Sequence, residues 1–208
     1  MKIIATQSYN INLVNDELRG NEPGIVVLPE GCWDRSDVVP EDIIKNTLEY
    51  RVSIIGTKST AEGFDVTYLV RHGEVQPLSV YLRSSVHKFK MDSFRELYKT
   101  LNKIHEISPT QDLIWAIVRQ CNGVYDPVND TKVADLICVP SAMDHTKYEG
   151  TRELIVEANK NNIKENSTLM VQAVLNDLRG TDVFSLPAFE RFGVNKQSSY
   201  KVHTYAKR

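Results

Sequence analysis

Eight runs of strand length, rich in Ile, Val and Leu, recur along this chain at residues 2–7, 24–29, 52–57, 66–71, 78–82, 113–119, 134–139 and 169–175. Several are apolar at consecutive positions, as in Ile25-Val26-Val27-Leu28 and Leu136-Ile137-Cys138-Val139. A sheet with one wet face alternates instead, so these runs predict buried strands covered on both sides. Helical patterns supply the cover. Phe94, Leu97, Tyr98, Leu101 and Ile104 follow helical spacing, with Asp92 or Ser93 placed to cap. Residues 41–49 pair Ile44 with Leu48, and residues 151–160 pair Leu154 with Ala158. Gly63 and Gly73 punctuate the strands around them, and 66–71 followed by 78–82 reads as a hairpin. No sequence repeat, low-complexity stretch or linker interrupts the series. One α/β domain over residues 1–208 is the expectation.

Charge narrows the partners. The formal net charge is -2, with 25% of residues charged. No global field favours nucleic acid or an anionic membrane. The tail from Lys196 to Arg208 is locally basic, through Lys196, Lys201, Lys207 and Arg208, and is expected as a solvated end.

The three cysteines, Cys32, Cys121 and Cys138, form no complete paired framework and no C-x-x-C motif. That pattern fits a reducing compartment and argues against structural zinc. The five histidines are scattered without metal-ligand spacing, and no glycine-rich phosphate loop follows a strand. No apolar run has the length of a signal-peptide core or a membrane span. The expected protein is cytoplasmic, with no cofactor, no metal, no nucleic-acid partner and no membrane partner.

Three local strings carry more. Gly24-Ile-Val-Val-Leu-Pro-Glu30 is a buried strand ending in Pro-Glu. Val86-His-Lys88-Phe-Lys90-Met91 comes just after the hairpin. Val133-Ala-Asp-Leu-Ile-Cys-Val-Pro-Ser-Ala142 is followed by a helical pattern, then by Ile163-Lys-Glu-Asn166 and another core strand. Together, in this order, they resemble the nitrilase (carbon–nitrogen hydrolase) superfamily. The opening Ile3-Ile-Ala-Thr-Gln7 is similar to that family's first strand. The likeness covers roughly residues 1–178, and the chain reads as a shortened member. It implies a four-layer α-β-β-α sandwich and a homodimer or higher oligomer.

The resemblance also implies roles. Amide and nitrile carbons are poor electrophiles, and the family attacks them with a thiolate to form an acyl thioester. Glu30 is then the general base, Lys88 the oxyanion stabiliser and Cys121 the nucleophile, with the backbone N–H of Asn122 as a further oxyanion donor. Lys90 is the second choice of lysine. Cys138, inside an apolar run, is expected in the core, and Cys32 is expected to have no nucleophilic role. The ordinary alternatives are an exposed Glu30, a solvated Lys88 and a buried, inert Cys121. The implied function is hydrolysis of a small amide, carbamoyl or related carbon–nitrogen substrate, or transfer of its acyl group to an amine.

Departures from the pattern keep a second class open. The long first helix is nearly absent from residues 8–23, and the segment after Cys121 differs. If Tyr125-Asp126 takes the place of the family's Tyr-Asp, Val124 falls at the nucleophile position. Glu96 and Glu106 read as surface residues rather than as a second catalytic glutamate. The competing reading is an inactive nitrilase-fold binding or scaffold protein.

Overall fold

All eight apolar runs form strands in the computed structural model, which describes residues 1–20, 23–33, 39–60, 64–82, 105–107, 114–118, 136–141, 168–174, 182–186, 191–192 and 200–204. The strands are β1 (Lys2–Thr6), β2 (Gly24–Val27), β3 (Val52–Ser59), β4 (Phe64–Arg71), β5 (Glu74–Leu82), β6 (His105–Ile107), β7 (Ile114–Val118), β8 (Leu136–Ser141), β9 (Thr168–Val174), β10 (Asp182–Leu186), β11 (Arg191–Phe192) and β12 (Tyr200–Thr204). They make two sheets, ordered β12-β1-β2-β3-β4-β5 and β11-β10-β9-β8-β7-β6.

The sheets share one plan. In the first, β1, β2 and β3 run parallel, with β12 antiparallel on one side and β4 and β5 on the other. In the second, β7, β8 and β9 run parallel, with β6 on one side and β10 and β11 on the other. Strands β7 to β11 thus repeat the topology of β1 to β5, although no sequence repeat marks it. Each parallel trio places its carboxyl ends along one sheet edge, where ligand sites of α/β folds gather.

Face-to-face packing of the two sheets explains the continuous apolar runs. Ile3, Ala5, Ile25, Val27, Ile55, Leu69 and Leu78 of the first sheet meet Leu136, Cys138, Leu169, Val171 and Ala173 of the second. The alternate residues Ile4, Val26, Ile54 and Val70 face outward and are buried too. Their cover comes from a 3-10 turn (Ile11–Val14), α1 (Asn15–Leu18), Trp33, and α2 (Glu41–Glu49) through Ile43. The described residues therefore give three layers: helices, sheet, sheet. The helices expected at 94–104 and 151–160, on which a fourth layer depends, lie outside the described residues.

Two local expectations are corrected. Helix α2 packs through Ile43, 2% exposed, while Leu48 is 66% exposed and lies over Gly73 of the β4–β5 hairpin. The buried stripe is Ile43, Asn46 and Thr47, displaced from the Ile44–Leu48 pairing. Glu106 is in β6, directly after the run expected as a helix. The basic tail is not simply a solvated end, because residues 200–204 form β12 and pair with β1. Glu17 fastens that edge: it accepts a hydrogen bond from the Tyr200 hydroxyl at 3.2 Å and pairs with Lys2 at 3.6 Å. The reduced segment after β1 holds only the 3-10 turn, capped by the Asn10 side chain accepting from Asn12 N–H at 3.0 Å, and the single turn of α1.

The expected hairpin is present. Strands β4 and β5 pair antiparallel around His72-Gly73, both with positive φ (52° and 78°). That is the backbone handedness a two-residue hairpin turn requires.

Candidate active site

Strand β2 leaves its sheet at a proline. Leu28 N–H still donates to Ile55 O at 2.8 Å, but Pro29 has no N–H to continue the ladder. The chain turns at Glu30 and Gly31, and Gly31 takes a φ of 73° that side chains other than glycine's rarely adopt. Glu30 stands at the carboxyl end of the middle strand of the parallel trio. Its side chain is half-buried, with Oε2 withdrawn from solvent.

Thr57, fully buried on β3, braces the turn at three points. Its Oγ1 accepts from Gly31 N–H at 2.6 Å, its carbonyl accepts from Trp33 N–H at 3.1 Å, and its own N–H donates to Cys32 Sγ at 3.2 Å. The Cys32 thiol lies 3.5 Å from Thr57 O. From the other side, the Tyr9 hydroxyl donates to Glu30 O at 3.1 Å. None of these contacts uses the Glu30 carboxylate; they fix the backbone beneath it.

The cysteines divide. Cys138 is fully buried between the sheets, and desolvation pushes its thiol far above the ordinary range. At neutral pH it stays a thiol and has no access to solvent. In the native protein Cys138 is expected to resist a thiol alkylator at neutral pH and to react once the chain is unfolded in denaturant. Intact mass against time reads this, and rapid native labelling of Cys138 would contradict its burial. Cys32 is tied to the Thr57 backbone and acts as a strut of the Glu30 turn. Cys121 comes three residues after Val118, the last residue of β7. Cys121, Asn122, Lys88 and Lys90 all lie outside the described residues, so among the predicted site residues the structure places Glu30 alone.

Sequence reasoning missed the braces. Tyr9, Thr57 and Cys32 act on Glu30's turn from positions 21 to 26 residues away, or through a neighbour in the turn. No local motif announces them. Among the described residues no three His, Cys, Asp or Glu side chains group as metal ligands, and no helix is long and apolar enough to cross a membrane.

No protein-family model and no curated protein sequence matches this chain. Solved structures do. A CN-hydrolase superfamily protein from Xanthomonas campestris, with an arsenic adduct in its active site, superposes with a TM-score of 0.58 over 99% of this chain and 90% of its own, at 14% identity. This chain has the carbon–nitrogen hydrolase fold. An N-terminal amidase with a Gln-Val peptide aligns over 77% of this chain and 53% of its own, at 12% identity and a TM-score of 0.38. A glutamine-dependent NAD+ synthetase from Acinetobacter baumannii aligns over 84% and 38%, at 11% identity and a TM-score of 0.40. The chain spans about half of the amidase, and the fold assignment rests on the first comparison. On a carbon–nitrogen hydrolase fold, the two parallel trios are the frame and the braced turn after β2 is the described part of the candidate site.

Proposed function

We propose that this chain hydrolyses a small amide, carbamoyl or related carbon–nitrogen substrate through a cysteine thioester. The observation that carries the reading is Glu30: a carboxylate on a braced turn at the carboxyl end of the central parallel strand, with one oxygen shielded from water. The shared fold supports it along nearly the whole chain. The burial of Cys138 and the tethering of Cys32 leave Cys121 as the cysteine for the nucleophile's role.

In this mechanism the Glu30 carboxylate takes the Cys121 thiol proton as Sγ bonds to the substrate carbonyl carbon. The oxygen gains negative charge, which the Lys88 ammonium and the Asn122 N–H hold. When the C–N bond breaks, the proton on Glu30 passes to the leaving nitrogen, and ammonia or an amine departs. Glu30, again a carboxylate, draws a proton from water. The hydroxide oxygen bonds to the acyl carbon, the C–S bond breaks, the proton on Glu30 returns to the sulfur, and the carboxylic acid product leaves with the thiol and the Glu30 carboxylate restored. An amine reaching the thioester in place of water would receive the acyl group. The same reading includes a two-fold pairing of protomers that extends the sandwich.

The test is a panel of small amides, carbamoyl compounds and nitriles, followed by released ammonia or acid. Wild type is expected to turn over at least one of them, and Cys121→Ala to lose on the order of a thousandfold or more in kcat. Turnover that survives the substitution rejects the nucleophile, and an inert wild type with an unreactive Cys121 favours the binding or scaffold reading.

A further inference from the structure

A second buried polar group, the Gln7 carboxamide oxygen, follows β1, the strand paired beside the one that leads to Glu30. Gln7 directly follows β1, where Ile3 and Ala5 face the second sheet and Ile4 faces the helices. By that alternation Gln7 is the next position on the face toward the second sheet. Its Oε1 is withdrawn from solvent and receives no hydrogen bond among the described residues. A buried carbonyl oxygen normally has a donor, and leaving one without costs about 1–3 kcal/mol.

The neighbours explain why. The parallel register of β1 and β2 ends with Ala5 beside Val27, and Gln7 and Pro29 each follow that pair by two residues. Pro29 has no N–H to offer. An ionised Glu30 carboxylate is likewise an acceptor and offers none. The Tyr9 hydroxyl is committed to Glu30 O, which also holds the segment after β1 against the turn after β2. Among the described residues nothing donates to the Gln7 oxygen.

We infer that Gln7 Oε1 accepts an N–H of the substrate, so that this site selects primary amides and carbamoyl groups over esters and nitriles. This rests on the amide-handling reading for the class of ligand. An amide nitrogen brings the missing donor. An ester oxygen or a nitrile nitrogen brings another lone pair and leaves the Gln7 oxygen buried without a partner.

The test measures binding in the Cys121→Ala background, by calorimetry, of straight-chain primary amides such as butyramide and of the matching methyl esters. With Gln7 present the amide is expected to bind about tenfold or more tightly than its ester. Gln7→Met removes the acceptor and brings the ratio toward unity. Gln7→Glu keeps an acceptor and keeps the preference, and serves as the deciding variant if Gln7→Met does not fold. A structural role alone would move both affinities together and leave the ratio unchanged, which would overturn the inference. So would loss of preference in Gln7→Glu, or no binding of any probe. Gln7-dependent amide preference in a protein that turns nothing over would sink the hydrolase reading and leave this one standing. Turnover whose amide-to-ester ratio ignores Gln7 would do the reverse.

Discussion

Glu30→Gln is expected to lower amide turnover by about a thousandfold or more while leaving the melting temperature within a few degrees of wild type. The size of the loss follows from the number of proton transfers assigned to one carboxylate. It deprotonates the thiol, protonates the leaving nitrogen and then deprotonates water, and general acid–base assistance in a single step is worth roughly 10²–10⁴-fold. A carboxamide of the same shape accepts no proton at neutral pH.

The small effect on stability follows from the turn. The turn is held through the Glu30 carbonyl, Gly31 N–H and Trp33 N–H, and the isosteric substitution leaves these bonds in place. The loss should fall on kcat with KM little changed, because the carboxylate is used in the reaction rather than in grip. Alkylation of Cys121 should slow in the same variant, since its proton acceptor has gone. Steady-state kinetics, a thermal melt and timed labelling read the three quantities. Turnover within tenfold of wild type in a folded Glu30→Gln protein would remove Glu30 from the mechanism.

Why was Glu30 legible in the sequence when its supports were not? The Pro29-Glu30 pair follows four buried apolar residues of β2, so the end of a buried strand and a proline that stops its ladder are both local signals. The central strands were legible for the same reason, since burial on two faces writes itself as consecutive Ile and Val. Boundaries near special residues shifted: β2 closes at Val27, two residues before Pro29, and β5 starts at Glu74, earlier than the apolar run suggests.

The flanking strands β6, β10, β11 and β12 carried weaker signals. They are short and partly polar, as in Asp182-Val-Phe-Ser-Leu186 and Tyr200-Lys-Val-His-Thr204. In β12 the lysines of the tail drew attention away from Tyr200 and Val202, which lie half-buried against the outer core. Thr57 illustrates a different limit. Threonine near a strand's end is ordinary, and its threefold hold on the Glu30 turn exists only because β3 pairs beside β2 in one register. The α2 face was misread because Ile43 and Ile44 are adjacent, and only packing chooses which of two overlapping stripes turns inward.

Gly56→Ala is expected to be strongly destabilising for a single added methyl, and to reach the site from behind. Gly56 lies on β3 between Ile55, which faces the second sheet, and Thr57, which braces the turn. A Cβ there would lie 2.6 Å from Trp33 Cη2, 2.7 Å from Trp33 Cζ2 and 2.7 Å from Cys32 Sγ. Carbon and sulfur do not approach so closely, so something must move. The Trp33 ring is 2% exposed and tilts against Tyr68, with centroids 6.2 Å apart, which leaves it little room.

Overpacking of this kind costs about 1–3 kcal/mol, and with a rigid ring as the obstacle the upper part of that range applies. For a chain of this size the melting temperature should fall by roughly 5–10 °C. Because Cys32 and Trp33 belong to the turn that carries Glu30, turnover should fall too, through kcat more than KM. Replacing the obstacle provides the control: Trp33→Leu costs stability by itself, but Gly56→Ala should cost distinctly less in that background than in wild type, a coupling that a double-mutant cycle measures. An unchanged melting temperature for Gly56→Ala, or strict additivity with Trp33→Leu, would mean that the indole does not rest on the bare backbone of β3, and the braced turn beneath Glu30 would lose its floor.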